Sequence, residues 1–514
     1  MAARPLSWPW PLIGILGLQA VVGLATLHNT AFQDEALYLY AGRQIIHHWN
    51  DGPVPLDNYA SYFSGYPYAY PVIGGFLDMV GGLELARGFS LACMLGVTGI
   101  VYWVTGRVFH RPAAIFAAAV YASTGVVLFL GRLATYDSLC LFLIALATAF
   151  SVYSSTSRRP WAAIAVGPVL VLAILAKYAA LLFVLPVFGL LAFLSIAFVA
   201  WRGVLLRLAL SLAGFAFSLS IAYETMDRTA LKGLTSTTTN RTALLTEPRT
   251  ALFIHVLLMG GIVYLIAFLG LLLTLRAGWR LRILAVLLFG SSWLAPVYHI
   301  YTQESVSLDK HIAYGLFFAA PLAGYALAWL SGYERRPFLS SHRGYWLAGL
   351  AVVMAVFAIG LNQSRTLYAN WANTSGLSYG LHTQLRDGAG RILAEDIEVA
   401  RYDAIDVTEP WQWNSFYYSD YVDRAGQHLS GDPALAQEVK DRYYTWVELS
   451  LNYLPQQAYF LAGQMAATRN YDLVAVIPFE NSYGKGHFYL WRSASAAGRG
   501  NFKSLAQLRT KVWP

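Results

Sequence analysis

Four groups of side chains in this sequence have the types and spacing to do chemistry. The first is the adjacent pair Asp34-Glu35, with Tyr38 and Tyr40 following on the same short segment. A carboxylate held beside a hydroxyl acts as a general base, taking the proton as the oxygen attacks. The pair also reads as helix-start charge, because acids suit the positive end of a helix dipole. The second group is Gly131-Arg132-Leu133-Ala134-Thr135-Tyr136-Asp137-Ser138, a tight turn between two apolar runs. Asp137 there is an N-cap, a site acid, or both. Arg132 is a phosphate ligand or a snorkelling side chain. The third is Lys177, the only charge between Trp161 and Trp201. An ionisable group at membrane depth marks function, and an interfacial anchor is the other reading. The fourth is Glu304 to Tyr314 (ESVSLDKHIAY), where Lys310 and His311 follow Asp309. Cations at that place would hold a phosphate leaving group, or ordinary lipid headgroups.

The chain that must position these groups is apolar. Of its 514 residues, 57% are hydrophobic and 12% charged, with a mean hydropathy of +0.47. Soluble domains carry about 25% charged residues, so the composition is that of a membrane protein. The formal net charge of +8 does not point to nucleic acid, because the arginines fall in short loops between apolar runs. Cys93 and Cys140 both lie inside apolar segments, and are expected to pack as small hydrophobes without a disulfide or a metal. No His-rich ligand spacing supports a metal, and no cofactor is expected. The first apolar run lacks a cleavage-site pattern after it and is read as a retained span.

A spanning helix needs roughly 20 mainly apolar residues. On that measure the sequence offers about eleven spans, the first near 10–28 and the last near 345–361. The run 161–201 is too long for one span and is divided at Lys177. With the N-terminus in the cytoplasm, the inner loops hold Arg107, Arg111, Arg159, Arg202, Arg276 and Arg280, and Glu334 is their only acid. Asp34, Glu35, Asp137, Glu304 and Asp309 then fall outside, which follows the positive-inside rule.

Two outer loops are long. The first, about 29–84, contains Tyr66-Pro67-Tyr68-Ala69-Tyr70-Pro71 and predicts one or two helices lying in the interface. The second, about 223–252, is polar and predicts a mobile lid or a linker. It carries the sequon Asn240-Arg241-Thr242, a motif short enough to arise by chance. The sequence therefore divides into a transmembrane catalytic domain, 1–361, and an extracytoplasmic α+β domain, 362–514. In the latter, Asp432–Leu449 predicts an amphipathic helix, and Tyr471–Phe479 with Gly486–Arg492 predicts two strands joined by a Gly-containing turn. The aromatic run Trp411 to Tyr418 would stack on sugars or pack as a core.

A first span followed by Asp34-Glu35 and an aromatic helix resembles the C-superfamily (GT-C) of membrane glycosyltransferases. The Pro-containing interfacial segment, the Arg-Leu-Ala-Thr-Tyr-Asp turn and the Lys-His-Ile-Ala-Tyr segment before a late span add to the likeness, which covers about 1–360. Within the superfamily the chain is most similar to the protein O-mannosyltransferase and aminoarabinose transferase group. The resemblance implies an inverting enzyme of the cytoplasmic membrane, taking a sugar from a polyprenyl-phosphate carrier on its outer side. Asp34 would be the general base, Glu35 would hold the site or donor, and Asp137 would be a second site acid. Lys310, with His311 and Tyr314 nearby, would meet the carrier phosphate, and Arg132 or Lys177 would assist. The segment after Leu361 does not match the repeat domains of eukaryotic protein mannosyltransferases, which leaves the acceptor open between protein, lipid and polysaccharide. Two other readings compete: a secondary transporter or lipid flippase, which would set its ionisable residues near the bilayer midplane, and a non-catalytic scaffold.

Overall fold

The computed structural model describes residues 10–59, 63, 69–157, 159–225, 246–332, 342–385, 390–416 and 419–494. The chain divides into two units. One is built from the described residues of Met1–His28 and Tyr59–Tyr368, the other from those of Asn29–Asn58 and Ala369–Pro514.

The first unit is a multi-pass bundle. Eight of its helices are long and apolar enough to cross a membrane, and Trp10–Thr26, Arg111–Ala122 and Pro160–Ala176 are shorter apolar helices. These match the eleven expected segments. The division at Lys177 is real: the chain leaves the helix at Ala176, is extended at Lys177, and restarts through the turn Tyr178–Ala180. Leu308–Leu330 is the hub, with 94% of its apolar window buried. Its neighbours approach closely because glycine lets them. A Cβ at Gly324 would stand 2.2 Å from the Ala113 carbonyl oxygen, and small residues at such crossings permit backbone contact. Trp201–Thr225, by contrast, has only 22% of its window buried, so most of its apolar surface faces outward, as a lipid-facing helix requires.

The helix Ala69–Val108 breaks at Gly81 and Gly82, and Gly82 has φ +67. Only glycine adopts that conformation without strain. The break separates the short apolar run from the true span, in keeping with a helix at the interface. Arg207 is buried and donates to the carbonyls of Ser154 and Ser157 at 2.8 and 3.1 Å, closing the end of the helix Tyr136–Thr156. Cys93 and Cys140 are buried free thiols. Residues 226–245, with the sequon, and 64–68 lie outside the described residues.

The second unit is a layered α+β domain. Its sheet has the order β2 (Trp413–Ser415), β1 (Ile392–Ala394), β5 (Trp446–Leu449), β7 (Gly484–Ser493), β6 (Tyr471–Asn481). β1 runs parallel to β2 and β5, while β7 is antiparallel to β5 and β6. A separate ribbon pairs β3 (Asp420–Val422) with β4 (His428–Ser430). Successive residues alternate between faces. Leu393, Val447, Leu449, Tyr489 and Trp491 pack with helices Asp432–Lys440 and Pro455–Thr468. Ile392, Ala394, Trp446, Phe488 and Leu490 pack on the other face with Ser375–Leu385 and Ile397–Asp403. The expected hairpin is present. The expected helix over 432–449 is not: it stops at Lys440, and Trp446–Leu449 is the central strand. The alternating burial available in the sheet overrides the helical pattern of those last residues. In the aromatic run Trp413 and Phe416 are buried, Trp411 is exposed, and Tyr417 and Tyr418 lie outside the described residues.

This unit also buries acids. Burial pushes the Asp403 carboxyl up to about 6, against the opposing pull of Thr374 and His382. A raised folded-state value means the stabilisation is complete below the unfolded value near 3.8 and is lost as pH rises through about 6. An Asp403→Asn variant is therefore expected to unfold at a higher temperature than the parent at pH 7. The gain should be at most about 3 kcal/mol and should vanish near pH 4 in a thermal-unfolding series.

Candidate active site

The bundle gathers four of the expected residues around Asp137. Thr135, not Asp137, is the N-cap of the helix Tyr136–Thr156, so Asp137 sits within the first turn with no cap to make. Its side chain is fully buried, and Oδ1 accepts a hydrogen bond from Lys177 Nζ at 2.5 Å. Lys177 can reach inward because it occupies the break between two helices. It also lies over the Tyr136 ring, 4.9 Å from its centre. Tyr314 donates its hydroxyl proton to the Asp137 carbonyl oxygen at 3.0 Å, fixing the turn to the hub helix. Asp137 Oδ2 makes no hydrogen bond among the described residues. Lys310 is buried on the hub helix, close enough to Lys177 for the two ammonium groups to repel. Ionisable groups buried together at membrane depth mark a functional site.

His311 joins this cluster through a chain of imidazoles. Its Nε2 stands 3.9 Å from Asp137 Oδ1. Its Nδ1 is 2.7 Å from His299 Nε2, and His299 Nδ1 is 2.6 Å from the Glu304 carbonyl oxygen. A carbonyl only accepts, so His299 Nδ1 donates to it. With both rings neutral, His299 Nε2 then accepts from His311 Nδ1, and His311 turns its Nε2 lone pair toward Asp137. That arrangement fixes the ring and leaves it able to take a proton.

Arg132 belongs to a different set of contacts. Its Nη2 pairs with Glu84, which Arg87 also meets at 3.4 Å. The Tyr368 hydroxyl donates to the Arg132 carbonyl, and the Arg87 guanidinium stands 5.5 Å from the Tyr368 ring centre. Arg132 Nε and Nη1 are buried and make no hydrogen bond among the described residues. Two guanidinium groups thus share one carboxylate, and Arg132 keeps two donors in reserve. Replacing Glu84 by Gln takes the paired carboxylate away from Arg132. Because Glu84 is itself 58% exposed, the expected loss is moderate, about 1–2 kcal/mol, read as a lower unfolding temperature in detergent.

Asp34 and Glu35 lie in the second unit, at the start of the helix Gln33–Trp49. Glu35 is fully buried and its Oε2 accepts from the Phe32 backbone N–H at 2.8 Å, closing the helix N-terminus. Asp34 is half-buried in the same first turn. The segment ahead of it is fastened to the chain after Tyr368. Trp371 Nε1 donates to the Thr30 carbonyl at 2.9 Å, and the Thr374 N–H donates to Thr30 Oγ1 at 2.9 Å. Gln33 donates to the Tyr453 hydroxyl. Further along, Arg401 pairs with Asp57 and lies 4.5 Å from the Tyr40 ring centre. Asp34 therefore rides on a helix held at both ends.

Three members of these clusters went unmarked in the sequence. Arg87 and His299 are single polar side chains inside apolar runs, a signal that was present. Glu84 was only one acid among many.

A family model described as dolichyl-phosphate-mannose-protein mannosyltransferase matches residues 72–223. No curated protein matches the chain by sequence. Among solved structures, ArnT from Cupriavidus metallidurans bound to undecaprenyl phosphate matches with a TM-score of 0.60 at 13% identity, covering 95% of this chain and 99% of that one. ArnT in the apo state gives 0.57 at 12%, covering 94% and 98%. The apo oligosaccharyltransferase of Archaeoglobus fulgidus gives 0.54 at 12%, covering 96% and 76%. At such identities the shared property is the fold. That fold is a multi-pass helical protein with a small C-terminal α+β domain.

Proposed function

We propose that this chain is an inverting glycosyltransferase that moves a sugar from a polyprenyl-phosphate carrier to an acceptor hydroxyl on the extracytoplasmic face of the cytoplasmic membrane. The observation that carries this reading is the buried Asp137–Lys177 ion pair with Lys310 buried beside it, ionisable groups set inside a membrane bundle. In the reaction the acceptor oxygen attacks the anomeric carbon as its proton passes to the Asp34 carboxylate. The bond from that carbon to the phosphate oxygen breaks, and the electron pair leaves with the phosphate. That phosphate is a stable anion, so it needs cations and no general acid. Lys310, Lys177 and Arg132 supply them, while Asp137, His311 and Tyr314 hold the cationic groups in place. Glu35 shapes the turn that presents Asp34. The charge asymmetry of the loops supports the outward placement of the acids. Catalysis is assigned to residues 1–361, with 362–514 as an extracytoplasmic domain.

The test is transfer by the purified chain in proteoliposomes supplied with radiolabelled polyprenyl-phosphate sugars. Label should move to an acceptor and free polyprenyl phosphate should appear in equal amount. Movement of intact carrier across the bilayer without cleavage would replace this reading with the flippase one.

A further inference from the structure

The C-terminal unit holds a cavity of about 310 Å³ that the transfer chemistry above does not use. Its size is that of a small-ligand site. Glu448 lines it from the central strand β5, only 2% exposed and on the same face as Trp446. A core-facing position in a central strand ordinarily takes an apolar side chain, since an ionised carboxylate there is strongly disfavoured. Glu448 Oε2 accepts one hydrogen bond, from the Glu395 backbone N–H at 3.2 Å. Asp396 also lines the cavity, and its Oδ1 is sealed from solvent without a hydrogen bond among the described residues. Burial, and then the neighbouring carboxylates, push both carboxyls well above their usual range. In the protonated form that burial favours, each would offer the cavity a hydroxyl donor and a carbonyl acceptor.

Glu395 has the opposite job. Its carboxylate accepts from the backbone N–H groups of Ser450, Leu451, Asn452, Tyr453 and Leu454, at 2.6–3.1 Å. This fixes the loop that brings Asn452 and Tyr453 to the cavity. Trp371 adds an aromatic face held in one orientation, through its bond to Thr30 and the Phe32 ring 5.1 Å away. Tyr483, 80% exposed, stands at the mouth. Among the described residues no Lys, Arg or His lines the cavity, so an anion would meet no counter-charge from them.

We propose that this cavity is a binding subsite for an uncharged sugar ring. Flat aromatic faces take the C–H side of such a ring, and side-chain amides with protonated carboxyls take its hydroxyls. On the glycosyltransferase reading the ring belongs to the acceptor. That assignment rests on the reading above, whereas binding itself does not.

The experiment uses the full chain in nanodiscs with neutral methyl hexosides and a neutral disaccharide, followed by saturation-transfer NMR. Glucose 6-phosphate and glucosamine are the charged controls. Neutral rings should bind and the phosphorylated sugar should not. Trp371→Ala should weaken binding about tenfold or more, while Trp371→Phe and Glu448→Gln stay within about threefold of the parent, roughly half a decade of affinity. Tyr483→Ala, at an exposed position, should weaken binding without touching the core. The proposal is overturned if no neutral sugar binds, if only glucosamine binds, or if Trp371→Ala and Tyr483→Ala both keep parental affinity. Failure here with sugar transfer intact removes the subsite and leaves the enzyme. Binding intact with no transfer removes the enzyme and leaves the subsite.

Discussion

An Asp34→Asn chain is expected to lose about 10²–10⁴-fold in turnover with a polyprenyl-phosphate sugar donor. The amide keeps the size and one acceptor oxygen of the acid but cannot take the acceptor's proton. Folding should survive, because Asn keeps the shape of the side chain and a first-turn charge is worth about 0.3–1 kcal/mol. The helix is held by other groups, from Trp371 to Arg401. The informative control is Glu35→Gln. Gln retains an oxygen that accepts from the Phe32 N–H, so the turn closes as before and turnover should stay within about threefold of the parent, since no charge-relay duty is lost. Turnover is measured by label transfer, and insertion by the unfolding temperature of the purified protein. An active Asp34→Asn chain beside a dead Glu35→Gln chain would exchange the two roles. Two active chains would remove both carboxylates from the chemistry.

The bundle was legible because membrane spans announce themselves by length and composition. The break at Lys177 was legible for the same reason, since 161–201 exceeds what one helix can span. What local pattern cannot carry is pairing at a distance. Lys177 and Asp137 are 40 residues apart, and nothing near either names the other. Arg401 and Asp57 are 344 apart, so the grouping of 29–58 with the C-terminal unit has no local signature. Asp137 was readable as an N-cap because Asp is a preferred cap residue, but Thr135, two residues earlier, is also a cap former and holds that position. Arg132 was marked for its sign on the acidic side of the chain. Its partner Glu84, whose carboxylate Arg87 shares, lies on another helix, and only folding brings them together. The misplaced end of the helix Asp432–Lys440 has the same origin. Trp446 to Leu449 is amphipathic enough to extend a helix, but burial on both faces of a central sheet fits it better.

The second large effect concerns Lys177. Lys177→Met should weaken donor binding about 10–150-fold, the worth of one charged hydrogen bond to phosphate. That change alone confounds stability with function, because it strands the fully buried Asp137 carboxylate, a loss of about 3–5 kcal/mol. The paired change Asp137→Asn with Lys177→Met separates the two. It removes both charges together, which is often nearly neutral for a buried pair, so the unfolding temperature should return toward the parent. If Lys177 serves only to neutralise Asp137, donor affinity returns with it. If Lys177 meets the carrier phosphate, the paired variant is as stable as the parent and still binds donor weakly. Lys310→Met should also weaken donor binding, and coupling to the Lys177 change is expected because the two groups are neighbours. Donor titrations on the four chains decide the matter, with the parent setting the scale: restored affinity in the stabilised pair would make the cluster a structural ion pair and move the phosphate to Arg132, whose Nε and Nη1 are buried donors with no hydrogen bond among the described residues.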